Sequence, residues 1–218
     1  EVKAHGLYNN DEALQKFMVG EYKYFNASNP LNDPDKDFIL NTSDRVVVGN
    51  SNPDYVFGLT NTFVYKNLDF SFFVQGVVGN DIVNTTAWSM ENNIGGSSSN
   101  IRVKTYNNLW RGEGTSNTLP KVVESKKRLV LFSDKYVEDG TYIRLKNINL
   151  GYNFKMAPKS VISTVRASFI ATNIFTITNY SGFDPEVNAF NTDPARRGVD
   201  MGNYPASRTY SFNLSAVF

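Results

Sequence analysis

The chain has 218 residues, no Cys, one His and a formal net charge of +1 from 22 basic and 21 acidic side chains. That balance leaves no excess field to hold nucleic acid or anionic lipid, and the lack of Cys excludes a disulfide framework and a thiolate metal site. No run of 18 apolar residues exists, so no transmembrane helix is encoded. With 41% hydrophobic residues, 16 Phe and 12 Tyr, the composition is that of a folded chain. Asn, Ser and Thr crowd between the apolar runs, which favours strands joined by long polar connections.

In chain order, Glu1-Val2-Lys3-Ala4-His5 lacks the basic and apolar regions of a secretion signal. The expectation is a removed leader or a chain that begins inside a longer protein. Lys16 to Phe25 reads as a strand with Tyr22 and Tyr24 in phase, or Ala13 to Val19 as a helical turn. Asn26 to Asp44 is loop by its Asn, Asp, Pro and Ser content. Tyr55 to Tyr65 alternates: Tyr55, Phe57, Leu59, Phe63 and Tyr65 share one face, and Val56, Gly58, Thr60, Thr62 and Val64 the other. Leu68 to Val78 places Leu68, Phe70, Phe72, Val74 and Val78 opposite Asp69, Ser71 and Gln75. Only Lys66-Asn67 separates these runs, the spacing of a tight hairpin.

Gly95 to Ser99 reads as a flexible loop tip, and Lys126-Lys127-Arg128 as a solvated face. From Tyr142 to Phe154 the parity changes. Ile143 and Leu145 share one phase; Ile148, Leu150, Tyr152 and Phe154 share the other. One extra residue near Lys146-Asn147 reconciles them, which predicts a bulge or register break there. Val165 to Asn173 alternates again. The last run, Arg208 to Phe218, is the cleanest: Tyr210, Phe212, Leu214, Ala216 and Phe218 against Thr209, Ser211, Asn213 and Ser215. A strand of about ten residues, rising roughly 3.3 Å each and tilted near 40°, covers the apolar band of an outer membrane.

The connections alternate in length. Counting back from Phe218, Phe175 to Ser207 is long, Lys155 to Ser160 short, Gly79 to Gly140 very long, and Lys66-Asn67 minimal. Transmembrane barrels place short turns on the periplasmic side and long loops outside. With Phe218 periplasmic, both short turns fall on that side.

The chain resembles the SusC-like (SusC/RagA) TonB-dependent transporters of Bacteroidetes. The resemblance lies in Asp44-Arg45-Val46-Val47-Val48-Gly49-Asn50 leading to Asn52-Pro53-Asp54-Tyr55; in Tyr65-Lys66-Asn67-Leu68-Asp69-Phe70-Ser71; and in Tyr136-Val137-Glu138-Asp139-Gly140-Thr141-Tyr142-Ile143-Arg144-Leu145-Lys146-Asn147. It continues through Leu150-Gly151-Tyr152, Asn173-Ile174-Phe175, Tyr180-Ser181-Gly182-Phe183-Asp184-Pro185-Glu186 and Tyr204-Pro205 to Arg208-Thr209-Tyr210. The first 43 residues match less well: Tyr24-Phe25-Asn26-Ala27-Ser28-Asn29-Pro30 stands where the family carries a Gly- and Asp-rich loop. The aromatic last residue with apolar partners at every second position (Tyr210, Phe212, Leu214, Phe218) is similar to the insertion signal of outer-membrane barrels. The resemblance implies an all-β antiparallel transmembrane barrel of about 22 strands around a plug, of which residues 1–218 supply the C-terminal five or six, with long extracellular loops. The remaining strands, the plug and the segment that contacts TonB then lie outside this chain. The implied partners are those segments, a SusD-like surface lipoprotein and outer-membrane lipid; no cofactor is implied.

Candidate ligand-binding residues are the loop aromatics Trp88, Tyr106 and Trp110, since aromatic faces are platforms for sugars. The alternative reading is loop packing or contact with a lid protein. Arg144 and Arg208 start strands at the outer rim, and holding the loops is the preferred role for both. Glu138-Asp139 is a poor acid-base pair, because neighbours in an extended chain point to opposite faces. No phosphate loop, dinucleotide fingerprint, zinc spacing or nucleophile elbow appears. The leading function is therefore import of an oligosaccharide or peptide across the outer membrane. A soluble β-sandwich that binds carbohydrate at the cell surface is the competing reading; it leaves the aromatic faces of membrane-spanning length unexplained. An outer-membrane phospholipase ranks last, because His5 lies outside every clear strand.

Overall fold

The structure, a computed structural model, describes residues 4–7, 22–24, 45–92, 100–122, 132–158, 161–187 and 197–218. The elements are β1 (Ala4–Leu7), β2 (Tyr22–Tyr24), β3 (Tyr55–Tyr65), β4 (Leu68–Val78), β5 (Asp81–Asn84), α1 (Thr85–Asn92), α2 (Val103–Asn107), a 3-10 turn (Asp134–Tyr136), β6 (Val137–Asp139), β7 (Tyr142–Lys155), β8 (Thr164–Thr178), β9 (Val199–Asp200) and β10 (Thr209–Val217). The chain divides into two compact units. One comprises Ser51–Ile82, Asp139–Gly198 and Asn203–Phe218; the other comprises Glu1–Asn50, Val83–Glu138 and Val199–Gly202.

The first unit is a five-stranded antiparallel sheet of order β10-β8-β7-β4-β3. β3 and β4 have the bounds that alternation predicts, and they pair without interruption from Tyr55↔Val78 to Tyr65↔Leu68. Their two-residue turn places Lys66 at φ +55, the left-handed geometry that twisted hairpins need. The Lys66 ammonium then sits 5.2 Å from the Tyr65 ring centroid.

The register identifies two faces. Phe63, Phe70, Leu150, Phe169 and Phe212 follow one another across the five strands through the pairs Phe63↔Phe70, Phe70↔Leu150, Leu150↔Phe169 and Phe212↔Phe169. Rings stack along this apolar face, as at Phe63–Phe70 (6.3 Å) and Phe169–Tyr210 (6.3 Å). The opposite face carries Asp69, Ser71, Asn149, Gly151, Asn153, Arg166 and Ser168. Leu59, Phe63, Phe212 and Leu214 remain exposed. An apolar face of this extent is unfavourable in water and favourable in hydrocarbon, because only the latter leaves it without a hydration cost.

The parity change in β7 is resolved where the sequence places it. Register shifts fall between Phe73 and Val74 against β4, and between Leu145 and Asn147 against β8. The shift keeps Ile143 and Leu145 on the same side as Ile148 and Leu150. β8 is longer than its alternation suggests. It passes through Asn173 at φ +51 and runs on to Thr178; Asn tolerates that backbone conformation better than other side chains.

Glycines let rings cross strands on both faces. A Cβ on Gly76 would lie 2.2 Å from the Phe57 ring, and one on Gly58 would lie 3.0 Å from the Phe73 ring. Buried apolar side chains in this unit gather at Ile82, Tyr180 and Val187, away from the middle of the sheet.

The very long Gly79 to Gly140 connection holds short elements: β5, α1, α2, the 3-10 turn and β6. β5 and β9 pair in parallel through Val83↔Val199 and Asn84↔Asp200, in a small sheet of order β6-β5-β9. These strands are too short to show alternation. They are held by side chains: Asn84 Oδ1 accepts the Ala87 N–H at 2.8 Å at the start of α1, and Thr85 Oγ1 donates to the Asp200 carbonyl at 2.5 Å. Leu109 and Leu119 form a separate buried pair with Ile101 against it. The strand expected over Lys16 to Phe25 is present at Tyr22–Tyr24, paired with β1. The rest of that stretch, the Asn26 to Asp44 loop, the Gly95 to Ser99 tip and Lys126-Lys127-Arg128 lie outside the described residues.

Candidate functional site

The polar face of the sheet carries a chain of charged and amide side chains. At the end near the short turns, Arg166 donates to both oxygens of Asp69, at 2.7 and 2.8 Å, and to Asn153 Oδ1 at 3.1 Å. The bond crosses over Gly151, where a Cβ would lie 2.2 Å from Arg166 Nη2 and 2.6 Å from Asp69 Oδ2. Farther along, Asn149 Oδ1 is buried with no hydrogen-bond partner, and Gln75 Nε2 donates to the Tyr142 hydroxyl at 3.2 Å.

At the other end Arg144, 3% exposed, is the hub. Its Nε donates to Thr176 Oγ1 at 2.7 Å, Nη1 to Glu186 Oε2 at 2.8 Å and Nη2 to Asp184 Oδ1 at 2.5 Å. Asp184 in turn accepts the backbone N–H of Glu186 at 2.9 Å and of Ala206 at 3.0 Å. Lys146 Nζ completes the group on Glu186, at 2.7 and 2.9 Å. Burial pushes the Asp184 carboxyl up. The Arg144 guanidinium and the two backbone donors outweigh it, so the group is held below its ordinary value. Two cations and two carboxylates cancel here. Arg144 therefore holds the turn at Asp184-Pro185-Glu186 and the chain entering β10, the loop-holding role expected from its position.

Beside this cluster is a cavity of ≈ 380 Å³, lined by the C-terminal end of β8 (Asn173, Phe175, Thr176, Thr178), by residues 182–185 and by Pro205, Ala206 and Arg208. Arg208, unlike Arg144, forms no ion pair among the described residues.

The loop aromatics all fall in the second unit. Trp88 is half-buried in α1, and its indole N–H has no partner among the described residues. Tyr106, in α2, is 57% exposed, and the Arg111 guanidinium covers its ring at 4.8 Å. Trp110, half-buried, donates its backbone N–H to the Leu119 carbonyl at 3.0 Å. Sequence reasoning missed the node next to Trp88. Lys135 Nζ pairs with Glu91 at 2.8 Å and donates to the Tyr22 hydroxyl at 2.6 Å and to the Thr118 carbonyl at 3.1 Å. The Tyr22 and Tyr136 rings flank it at 4.7 and 5.2 Å. Burial pulls the ammonium below its ordinary value, with Glu91 opposing. No local pattern signals this group, since its members are up to 114 residues apart.

Glu138 and Asp139 have separate work. Glu138 Oε1 accepts from Asn84 Nδ2 at 2.8 Å, and Asp139 Oδ1 accepts the Thr141 N–H at 2.8 Å. No group of three potential metal ligands occurs among the described residues.

A two-faced antiparallel sheet, apolar on one face and charged on the other, with short turns at one end and long connections at the other, has the features of a transmembrane β-barrel wall. No family model matches the sequence. The chain is 34% identical over 185 residues to TonB-dependent receptor P3 of Formosa agariphila (82% of this chain, 18% of that protein) and 31% identical over 206 residues to its receptor P26 (92% and 20%). It is 27% identical to TonB-dependent receptor SusC of Bacteroides thetaiotaomicron, over all of this chain and 20% of that protein. Among solved structures it is similar to the RagAB peptide transporter (TM-score 0.73, 21% identity, 98% of this chain, 22% of that one) and to the RagAB peptide importer in the open-open state (TM-score 0.72, 20% identity, 100% and 22%). The chain belongs to the SusC-like TonB-dependent receptors and spans about a fifth of the length of the curated relatives it matches.

Proposed function

We propose that these residues form the C-terminal part of the barrel wall and extracellular loops of an outer-membrane importer of about 22 strands, energised through TonB. The barrel takes up an oligosaccharide or peptide captured with a SusD-like surface lipoprotein, and this part requires no cofactor. The observation that carries the reading is the continuous apolar face across five strands, its turns short at one end only. Kinship with receptors and importers supports the direction of transport. On this reading the ends near Lys66 and Phe218 are periplasmic, and Arg144, Arg208 and the long connections belong to the outer side. Tyr210, Phe212, Leu214 and Phe218 serve insertion and the lipid-facing seam; Trp88, Tyr106 and Trp110 contact solute or the lid.

The test uses the whole transporter. Cells carrying it take up labelled oligosaccharide or peptide mixtures with and without TonB, and membranes are fractionated. Uptake that depends on both the transporter and TonB, with the protein in the outer-membrane fraction, is expected. Uptake unaffected by loss of TonB, or the protein in the cytosol or inner membrane, sinks the reading.

A further inference from the structure

The outer end of β8 is an open edge. Residues 164–172 pair with β10, whose ladder starts at Thr209↔Thr172; residues 173–178 have β7 alone. In an antiparallel strand, alternate residues direct N–H and C=O to each side, so this stretch presents backbone donors away from β7. The cavity of ≈ 380 Å³ lies against it. The Arg144 charge at the cavity wall is spent on Asp184 and Glu186. Arg208 forms no ion pair among the described residues, and it is exposed. Arg208 immediately precedes β10, two residues before Tyr210 of the apolar face, and the exposed rings of Phe175 and Phe183 line the same cavity.

We propose that Arg208 and the outer end of β8 bind the phosphate of an outer-leaflet lipid, whose acyl chains run down the Tyr210-Phe212-Leu214 stripe. A planar guanidinium and adjacent N–H donors suit an oxyanion. Phosphate is the oxyanion that membrane lipids carry, and the stripe beneath supplies an apolar surface that a free anion cannot use. A ring of aromatics at headgroup level suits the same ligand. The inference rests on the membrane orientation proposed above. The near-zero net charge does not oppose it, because the attraction is one local cation.

The test is binding of dioctanoyl phosphatidic acid to the purified full-length transporter in dodecyl maltoside, followed by native mass spectrometry and titration. Arg208→Gln weakens binding about tenfold or more, the loss expected of one charge-assisted bidentate contact; Arg208→Lys gives an intermediate loss, and Lys155→Gln, at the other end of the sheet, gives none. Because Arg208 has no ion-pair partner among the described residues, a heat-modifiability shift on gels should show folding unchanged in each variant. Equal binding by Arg208→Gln, or by dioctanoylglycerol, overturns the proposal. Displacement by inorganic phosphate at concentrations equal to the lipid also overturns it, because the site is then one for free anions. Fractionation of cells separately tests the parent reading: outer-membrane protein with no Arg208-dependent binding refutes the lipid site alone.

Discussion

Arg166 reaches across β7 to Asp69 over the bare α-carbon of Gly151. The pair joins three strands on the polar face near the short turns, and it exists only because the middle strand has no side chain there. Gly151→Ala is expected to lower the unfolding midpoint of the whole barrel in urea. The added methyl meets Arg166 Nη2 at 2.2 Å. Adding Arg166→Ala should recover part of the loss, since the contact with the guanidinium disappears and only the one with Asp69 Oδ2, at 2.6 Å, remains to be relieved. A double variant no better than Gly151→Ala would show that the strain lies elsewhere.

Arg144 and Asp184 are both buried, so removing one leaves the other charged and unpaired. Arg144→Ala is expected to cost about 3–5 kcal/mol of local stability around the Asp184-Pro185-Glu186 turn. Paired replacement by apolar residues should cost less than the sum of the two single changes. Limited proteolysis near Pro185 and Pro205 in the intact transporter provides the measurement; equal cleavage of wild type and Arg144→Ala would contradict it.

The Asp184 carboxyl is held below its ordinary value of 3.8. A depressed carboxylate contributes stability that is present above the unfolded value and lost as pH falls through the folded one. The Arg144 clasp is therefore expected to remain intact at pH 5 and to loosen only below about pH 4. The amides of Glu186 and Ala206, which donate to Asp184, report it by hydrogen exchange. Their protection should fall first in acid, and Asp184→Asn should flatten that dependence. Loss of protection already at pH 6 would refute it.

Leu59 and Thr60 are adjacent and lie on opposite faces. Leu59→Arg places a charge on the apolar face and is expected to cost about 2–4 kcal/mol near the membrane midplane. Thr60→Arg should be tolerated. The folded fraction, scored by heat modifiability after outer-membrane assembly, separates them. Equal tolerance would mean that this face does not meet lipid.

Phe57 and Gly76 form a complementary pair across β3 and β4, with the ring where a Gly76 Cβ would stand. Gly76→Ala should lower the urea midpoint when Phe57 is present. In a Phe57→Ala background it should be neutral or stabilising, because Ala limits the unfolded chain more than Gly does. The sign of the coupling is the check.

Much of the sheet was legible because each strand obeys a two-residue period imposed by one apolar face. The bounds of β3 and β4, the tight turn at Lys66-Asn67 and the register break at Lys146 all follow from that local rule. β5, β6 and β9 were not legible, since strands of two to four residues are too short to show a period. The end of β8 was missed because Asn173 interrupts the backbone, although the strand continues beyond it.

The order of residues along this chain determined, by itself, which side chains form the apolar face of the sheet and which the polar face, because alternation is a property of neighbours. Tertiary structure alone decided which distant charges meet: Arg144 with Asp184, Arg166 with Asp69, Lys135 with Glu91. Those partners lie 40, 97 and 44 positions apart, and no periodic pattern carries that information. It depends on strand register and loop path, which the chain acquires only when its backbone hydrogen bonds are made.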